Sequence, residues 1–362
     1  MKITFVLPGM FVAGGIRSVL EIASELVVLN HHVTVVCNDS DWQLIKPPKI
    51  RARRKIKDTL TALYYSVRDV PSIEPWIPTQ ARVLRIPNLS YRFIPSGDVV
   101  VATSWETAEW VATYPASKGR KFYFVQHYET WAGPHERVDG TYRLPLTKIV
   151  VAHWLKQLME EKFDQRALGP VIMGVRSDQF FNKMPVLHNP RTIGFMVSGQ
   201  DWKGTDDALE AVQNVSKEYS NIRLIVFGWT KEANVNWPVP SQFYLMPDQA
   251  KIRELYCASD IWVSPSWHEG GGPMPCQEAS ACSCAIVTTD VGAVREIYSD
   301  GESALISPPR QPSLLAGNVI RLLKDECYLR KMKENAQKNM KRFTWKRSAE
   351  QMLECFNSDE FC

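Results

Sequence analysis

The chain has 362 residues, enough for about two domains of ordinary size. It is 45% hydrophobic and 23% charged, with no low-complexity tract and no internal repeat, which excludes a disordered or fibrous protein. A net charge of +4 is too small for a general nucleic-acid binder, and no run of about 18 apolar residues is present to span a membrane.

In chain order, residues 3–7 form an apolar run ending in Pro8-Gly9, which predicts a buried parallel strand. Pro8 and Gly9 interrupt the apolar stretch 1–16 and no small-x-small cleavage site follows, so a strand and a glycine loop are expected there, not a signal peptide. After Gly14-Gly15, the residues Ile16, Val19, Leu20, Ile22, Ala23 and Leu26 recur at helical spacing, and residues 32–37 again read as a strand. Strand, glycine loop, helix and strand make a βαβ unit, so a parallel sheet should follow. Residues 99–102, 121–126 and 147–152 are its further predicted strands.

Between the predicted strands 32–37 and 99–102 lies a basic run: Lys46, Lys49, Arg51, Arg53, Arg54, Lys55 and Lys57, with no acid before Asp58. It reads either as a solvated face or as a patch, centred on Arg51, Arg53 and Arg54, for anionic lipid headgroups or a diphosphate-bearing acceptor. A second βα series starts near Thr192. Strands are predicted at 193–197, 223–227, 261–264 and 285–288, and helices at 206–219, 252–258 and 278–281. Residues 183–190, with two prolines, separate the two series. Residues 312–340 read as one helical stretch, and a last amphipathic helix spans 348–356. Cys282 and Cys284 are one residue apart, too close for ordinary zinc ligation. The apolar neighbours of most of the eight cysteines point to free buried thiols in a reducing, cytoplasmic compartment.

Three segments carry chemistry. Gly9, Gly14 and Gly15 lie between a strand and a helix, where glycine lets backbone approach a phosphate and the helix start supplies oriented N–H groups. The spacing is not G-x-G-x-x-G, and a tight turn is the plainer reading. Residues 198–204, Ser-Gly-Gln-Asp-Trp-Lys-Gly, put Lys203 beside a helix start. The dipole does not favour a cation there, so Lys203 is either solvated or present for an anion. The third segment, Ser264-Pro-Ser-Trp-His-Glu-Gly-Gly-Gly-Pro-Met-Pro-Cys-Gln-Glu278, runs from strand to loop to helix with Glu269 and Glu278 bracketing it. Two such carboxylates can accept hydrogen bonds from sugar or ribose hydroxyls while loop N–H groups bind the remaining oxygens. The position suits the rule that open α/β sheets bind ligands beyond the carboxyl ends of their strands.

From Ser264 onward the residues resemble the donor site of the family 4 (group 1) retaining glycosyltransferases of the GT-B fold. The order Ser264-Pro-Ser, Glu269-Gly, Glu278-Ala, Asp290-Val-Gly292, Glu296-Ile and Asp300-Gly301 follows that family's pattern. Gly174-Val175, Lys203-Gly204, Phe227-Gly228 and Phe343-Thr-Trp345 also fall where the family has them. The likeness runs over residues 145–355 and is looser before residue 140. It implies an α/β chain of two Rossmann-like doubly wound domains facing a central cleft. The boundaries expected are 1–184 for the acceptor-side domain, 185–191 for a linker, 192–342 for the nucleotide-sugar domain, and 343–362 for a helix crossing back to the first domain.

The resemblance implies roles as well. Gly14 and Gly15 would approach the donor diphosphate and Lys203 would neutralise it. Glu278 would hold the ribose, and Glu269 would face the transferred sugar with the N–H groups of Gly271 and Gly272. His127 on a first-domain loop would complete the catalytic site, with Glu129 a weaker candidate and a structural role for His127 the alternative. The implied reaction is retaining transfer of a hexose or deoxyhexose from a nucleotide diphosphate sugar to a glycan or lipid-linked acceptor in cell-surface polysaccharide synthesis. Such an enzyme would work in the cytoplasm, peripheral at the inner membrane face. No cofactor is expected, because no Asp-x-Asp stands at a diphosphate to hold a metal. A nucleotide-sugar epimerase or a non-catalytic nucleotide-sugar-binding protein of the same fold are the alternatives. Three departures from the family pattern stand out. Eight residues, not seven, separate Glu269 from Glu278, so a bulge using glycine's conformational freedom is expected at 270–272. Gly199-Gln200-Asp201 replaces an arginine before Lys203, with Arg17 or Arg176 as compensating candidates, and Met173 and Arg176 flank Gly174-Val175.

Overall fold

The structure is a computed structural model and describes residues 1–38, 75–229 and 237–358. The basic run 46–57, with Arg51, Arg53 and Arg54, lies outside the described residues. The chain divides into two compact units: Met1–Val171 with Trp345–Cys362, and Ile172–Thr344.

The first unit is a seven-stranded parallel sheet. Its strands are β1 (Lys2–Leu7), β2 (His32–Asn38), β3 (Arg82–Ile86), β4 (Val99–Ala102), β5 (Arg120–Val125), β6 (Thr147–Val150) and β7 (Ala167–Leu168), in the order β3-β2-β1-β4-β5-β6-β7. Ile3 pairs with Val33 on one side and Val99 on the other, so β1 is central. Helices cover both faces of such a sheet, and its central strands are therefore apolar throughout: all four residues of β4 are buried. Helix α1 (Gly14–Val28) presents the predicted stripe, with Val19, Leu20, Ile22, Ala23 and Leu26 fully buried. Truncating one such leucine to alanine costs about 2–5 kcal/mol. Helices α2 (Trp105–Ala112), α3 (His135–Tyr142) and α4 (His153–Phe163) follow β4, β5 and β6.

The second unit repeats the plan with six parallel strands: β8 (Arg191–Val197), β9 (Ile222–Gly228), β10 (Ser241–Leu245), β11 (Ile261–Ser264), β12 (Ala285–Thr289) and β13 (Leu305–Ser307), ordered β10-β9-β8-β11-β12-β13. Helices α5 (Thr205–Glu218), α6 (Gln249–Cys257), α7 (Met274–Ala281) and α8 (Val294–Ile297) lie between strands. Each sheet reverses direction of growth once, between β1 and β4 and between β8 and β11, which is the doubly wound pattern. The reversal leaves a crevice at the carboxyl ends of those two strands, and the glycine loop and the Lys203 loop each start there.

Two predicted details are corrected. The stretch 312–340 is two helices, α9 (Pro312–Lys324) and α10 (Glu326–Met340), because Asp325 adopts an extended backbone and its side chain accepts the Tyr328 N–H as a cap. The division between units falls after Val171, not near residue 184. Residues 172–191 are tied to the second unit: Gln277 donates to the Met173 carbonyl at 2.7 Å, Asn182 to the Cys282 carbonyl at 3.3 Å, and the His188 N–H to Asp260 at 3.2 Å. Asp260 is fully buried and also pairs with Lys333 at 3.1 Å. Burial alone would raise its carboxyl, but the His188 hydrogen bond and the Lys333 charge hold it below the usual value. The last helix, α11 (Trp345–Asn357), belongs to the first unit, where Phe356 meets Phe122 edge-on at 5.0 Å and its carbonyl accepts from Arg120.

Candidate functional site

In the second unit, the loops after β8 and β11 meet at the sheet's reversal point. The Trp267 N–H donates to the Trp202 carbonyl at 2.7 Å, and the His268 ring stacks on Trp202 at 5.4 Å. This contact brings Lys203 to Glu269, with Nζ to Oε1 at 2.6 Å. The same oxygen accepts the Ser266 hydroxyl at 2.7 Å. Both charged side chains keep some surface, 24% for Lys203 and 12% for Glu269, so the pair faces solvent at one side. Beside it, burial holds the His268 imidazole below its usual range.

Two glycines make this approach fit. Gly204, in the left-handed region at φ +67°, opens α5, and a Cβ there would lie 2.3 Å from the Pro265 carbonyl oxygen. Gly292, at φ +56°, sits so close that a Cβ would lie 2.2 Å from the Gly271 oxygen and 2.9 Å from the Glu269 Cβ. The expected bulge does not take the form anticipated, since none of Gly270, Gly271 and Gly272 has positive φ. At Gly272 the requirement is space: a Cβ would lie 2.2 Å from Ile297 Cδ1. Glu269 is nonetheless turned onto Lys203.

Glu278 lies within α7 and is 6% exposed. The Tyr256 hydroxyl donates to its Oε2 at 2.9 Å, fixing the carboxylate from behind. Of the cations proposed to replace the absent arginine, Arg176 is held by Asp178 at 3.2 and 2.8 Å, and Arg17 is buried beside Glu21 at 3.8 Å.

In the first unit, α1 begins at Gly14 after Ala13, with no side-chain cap and no acid in its first turn. A Cβ on Gly15 would lie 3.3 Å from the Gln126 side chain, so the helix start abuts the residue before His127. The half-buried His127 ring meets Trp131 edge-on at 4.3 Å and Trp154 at 6.0 Å. The structure thus gathers Gly14, Gly15 and His127 in one unit, and Lys203, Glu269, Gly271, Gly272 and Glu278 in the other. Sequence reasoning missed Ser266, Tyr256 and the two tryptophans. Ser266 stands in the Ser264-Pro-Ser motif and could have been found there, whereas Tyr256 reaches Glu278 from another helix with no local signal. Among the described residues, no helix is long and apolar enough to cross a membrane.

Residues 177–339 match the family of glycosyl transferases group 1. An uncharacterized glycosyltransferase of Methanocaldococcus jannaschii is 25% identical over 205 residues, 55% of this chain and 56% of the relative. A D-inositol 3-phosphate glycosyltransferase of Corynebacterium urealyticum is 24% identical over 183 residues, 46% of this chain and 43% of the relative. The chain spans about half the length of these curated relatives. Sucrose-phosphate synthase from Thermosynechococcus elongatus superposes with a TM-score of 0.72 at 14% identity, covering 98% of both chains. A TarM variant of S. aureus, solved in complex with fondaparinux, alpha-GlcNAc-glycerol and UDP, gives 0.70 at 12% identity, covering 99% of this chain and 100% of that one. The fold is the two-domain, Rossmann-like GT-B fold. Lys203, Glu269 and Glu278 all lie within residues 177–339, the stretch that matches this family.

Proposed function

We propose that the protein is a retaining glycosyltransferase that moves a hexose or deoxyhexose from a nucleotide diphosphate sugar to a glycan or lipid-linked saccharide, without a metal ion. The observation that carries this reading is the Lys203–Glu269 pair at the carboxyl ends of β8 and β11. Cleaving the anomeric bond leaves negative charge on the departing diphosphate and positive character on the sugar. Lys203 supplies the cation for the first, and Glu269 the carboxylate that accepts the sugar's hydroxyls. Glu278, oriented by Tyr256, takes the ribose hydroxyls. The N–H groups at Gly271 and Gly272 add fixed dipoles toward the phosphates, and in the first unit α1 starts at Gly14 and Gly15 with no side-chain cap, a form of helix start that suits an anion. His127, in the first unit, is the candidate that the family resemblance adds to this set. Retention follows from the family resemblance and not from any single residue. TarM solved with UDP supports a nucleoside diphosphate as the leaving group. The acceptor reading places the enzyme at the cytoplasmic membrane face in polysaccharide synthesis.

The test is thermal denaturation with UDP, GDP, dTDP and ADP in turn. One of them should raise the melting temperature, since a ligand at a hundred times its Kd adds about 2.7 kcal/mol to the native state. No shift with any of the four would overturn the reading.

A further inference from the structure

We infer that Glu129 is a positioning residue for His127, pinning the loop 126–131 to the start of α2. Its bearing on turnover rests on the function proposed above; the positioning of the loop does not.

The loop leaves β5 and carries His127, Glu129 and Trp131. Glu129 Oε2 accepts the Trp105 backbone N–H at 2.9 Å, at the first residue of α2, and the Tyr123 hydroxyl at 3.3 Å from β5. The Glu129 N–H donates to the Tyr142 hydroxyl at 3.2 Å, and that hydroxyl donates to the His127 carbonyl at 3.2 Å. One side chain of α3 therefore bridges the two backbone groups that set where the His127 ring stands. The anchor at Trp105 is itself closely packed: a Cβ on Gly133 would lie 2.7 Å from its ring, and the Arg137 guanidinium covers it at 4.7 Å. Remove the Glu129 carboxyl and the loop loses its tie to both α2 and β5, while the Trp105 N–H is left without that acceptor.

The charges around the carboxyl decide how it works. Facing it are Glu106 of α2, Tyr123 of β5 and Tyr142 of α3. Arg137 is engaged by Glu109 through two hydrogen bonds, at 2.8 and 2.6 Å. Burial first, and the Glu106 carboxyl second, push Glu129 up to about 8. Burial raises Glu106 too. A carboxyl raised that far favours its protonated form in the neutral range, a clamp whose Oε2 accepts two bonds. Ionised, it would set a second negative charge beside Glu106 with little water to solvate it. The folded carboxyl keeps its proton to about 8 and an exposed one releases it near 4.5, so the clamp's contribution is full at the acid end and lost as pH rises through 8.

The experiment uses the full chain labelled with carbon-13 in its histidine rings, with His127 assigned from its missing signal in His127→Asn. In the parent, the His127 ring signal should shift with a step near pH 8. Glu129→Gln, which mimics the protonated carboxyl, should keep the parent's pH 7 signal and lose that step. Glu129→Ala should displace the signal at every pH. With whichever nucleotide sugar is turned over, the parent's kcat should fall above pH 8 and that of Glu129→Gln should not, while Glu129→Ala should lose about tenfold in kcat at every pH. Identical titration of the His127 signal in the parent and in Glu129→Gln overturns the inference. So does a Glu129→Ala signal that coincides with the parent's. Because these readouts need no turnover, they stand apart from failure of the proposed activity.

Discussion

Lys203 and Glu269 lie in contact, and each limits what the other can do. A lysine held by a carboxylate at 2.6 Å presents a neutral pair to an incoming diphosphate, so donor binding must share the lysine between two anions. Replacing Lys203 with alanine should lower kcat at saturating donor at least tenfold, about 1.4 kcal/mol of barrier; steady-state kinetics near the parent's would reduce Lys203 to a solvated side chain. The two glutamates should separate in kind. Glu278→Gln should weaken nucleoside diphosphate binding by calorimetry, whereas Glu269→Gln, which frees Lys203 from a competing carboxylate, should not weaken that affinity and should lower turnover. Unchanged nucleotide affinity in Glu278→Gln would contradict the ribose assignment. Lys203, Glu269 and Glu278 stand out in sequence because they fall in strand–loop–helix segments whose residue order resembles a donor-site pattern. Their partners do not: Trp202 meets Trp267, and Tyr256 meets Glu278, only once separate βα units are side by side.

At the scale of elements, the alternation of apolar runs and helical periods carried both parallel sheets into view. It failed at the sheet edges and where capping decides. All four edge strands escaped it: β3 and β10, where polar residues interrupt five-residue segments, and β7 and β13, whose two and three residues are too few for a period to register. The break at Asp325 turns on one capping side chain inside an otherwise continuous helical pattern. The early attachment of residues 172–191 turns on long-range bonds, above all the buried Asp260, which accepts from His188, Thr192 and Lys333. Breaking a buried pair leaves an uncompensated charge, so Lys333→Ala should destabilise the protein by about 3–5 kcal/mol in urea unfolding. A loss below about 1 kcal/mol would show that the carboxylate is satisfied by its remaining partners.

For the molecule as a whole, two expectations concern surroundings. The basic run with Arg51, Arg53 and Arg54 should give salt-sensitive sedimentation with anionic vesicles and none with neutral ones, because surface charge is screened over about 10 Å at 0.1 M salt. Equal sedimentation with both, or no change on neutralising the three arginines, would make the run a solvated face. The most direct test of the central claim is the fate of the donor. The protein is incubated in excess EDTA with UDP-, GDP-, dTDP- and ADP-sugars and with lipid-linked saccharide acceptors, and both nucleotide and sugar products are followed by mass spectrometry and NMR. The account expects one donor to release its nucleoside diphosphate at a rate that rises with acceptor, giving a product of retained anomeric configuration. Conversion of a donor to its epimer without release, binding with no release, or activity that returns only with magnesium or manganese would contradict it.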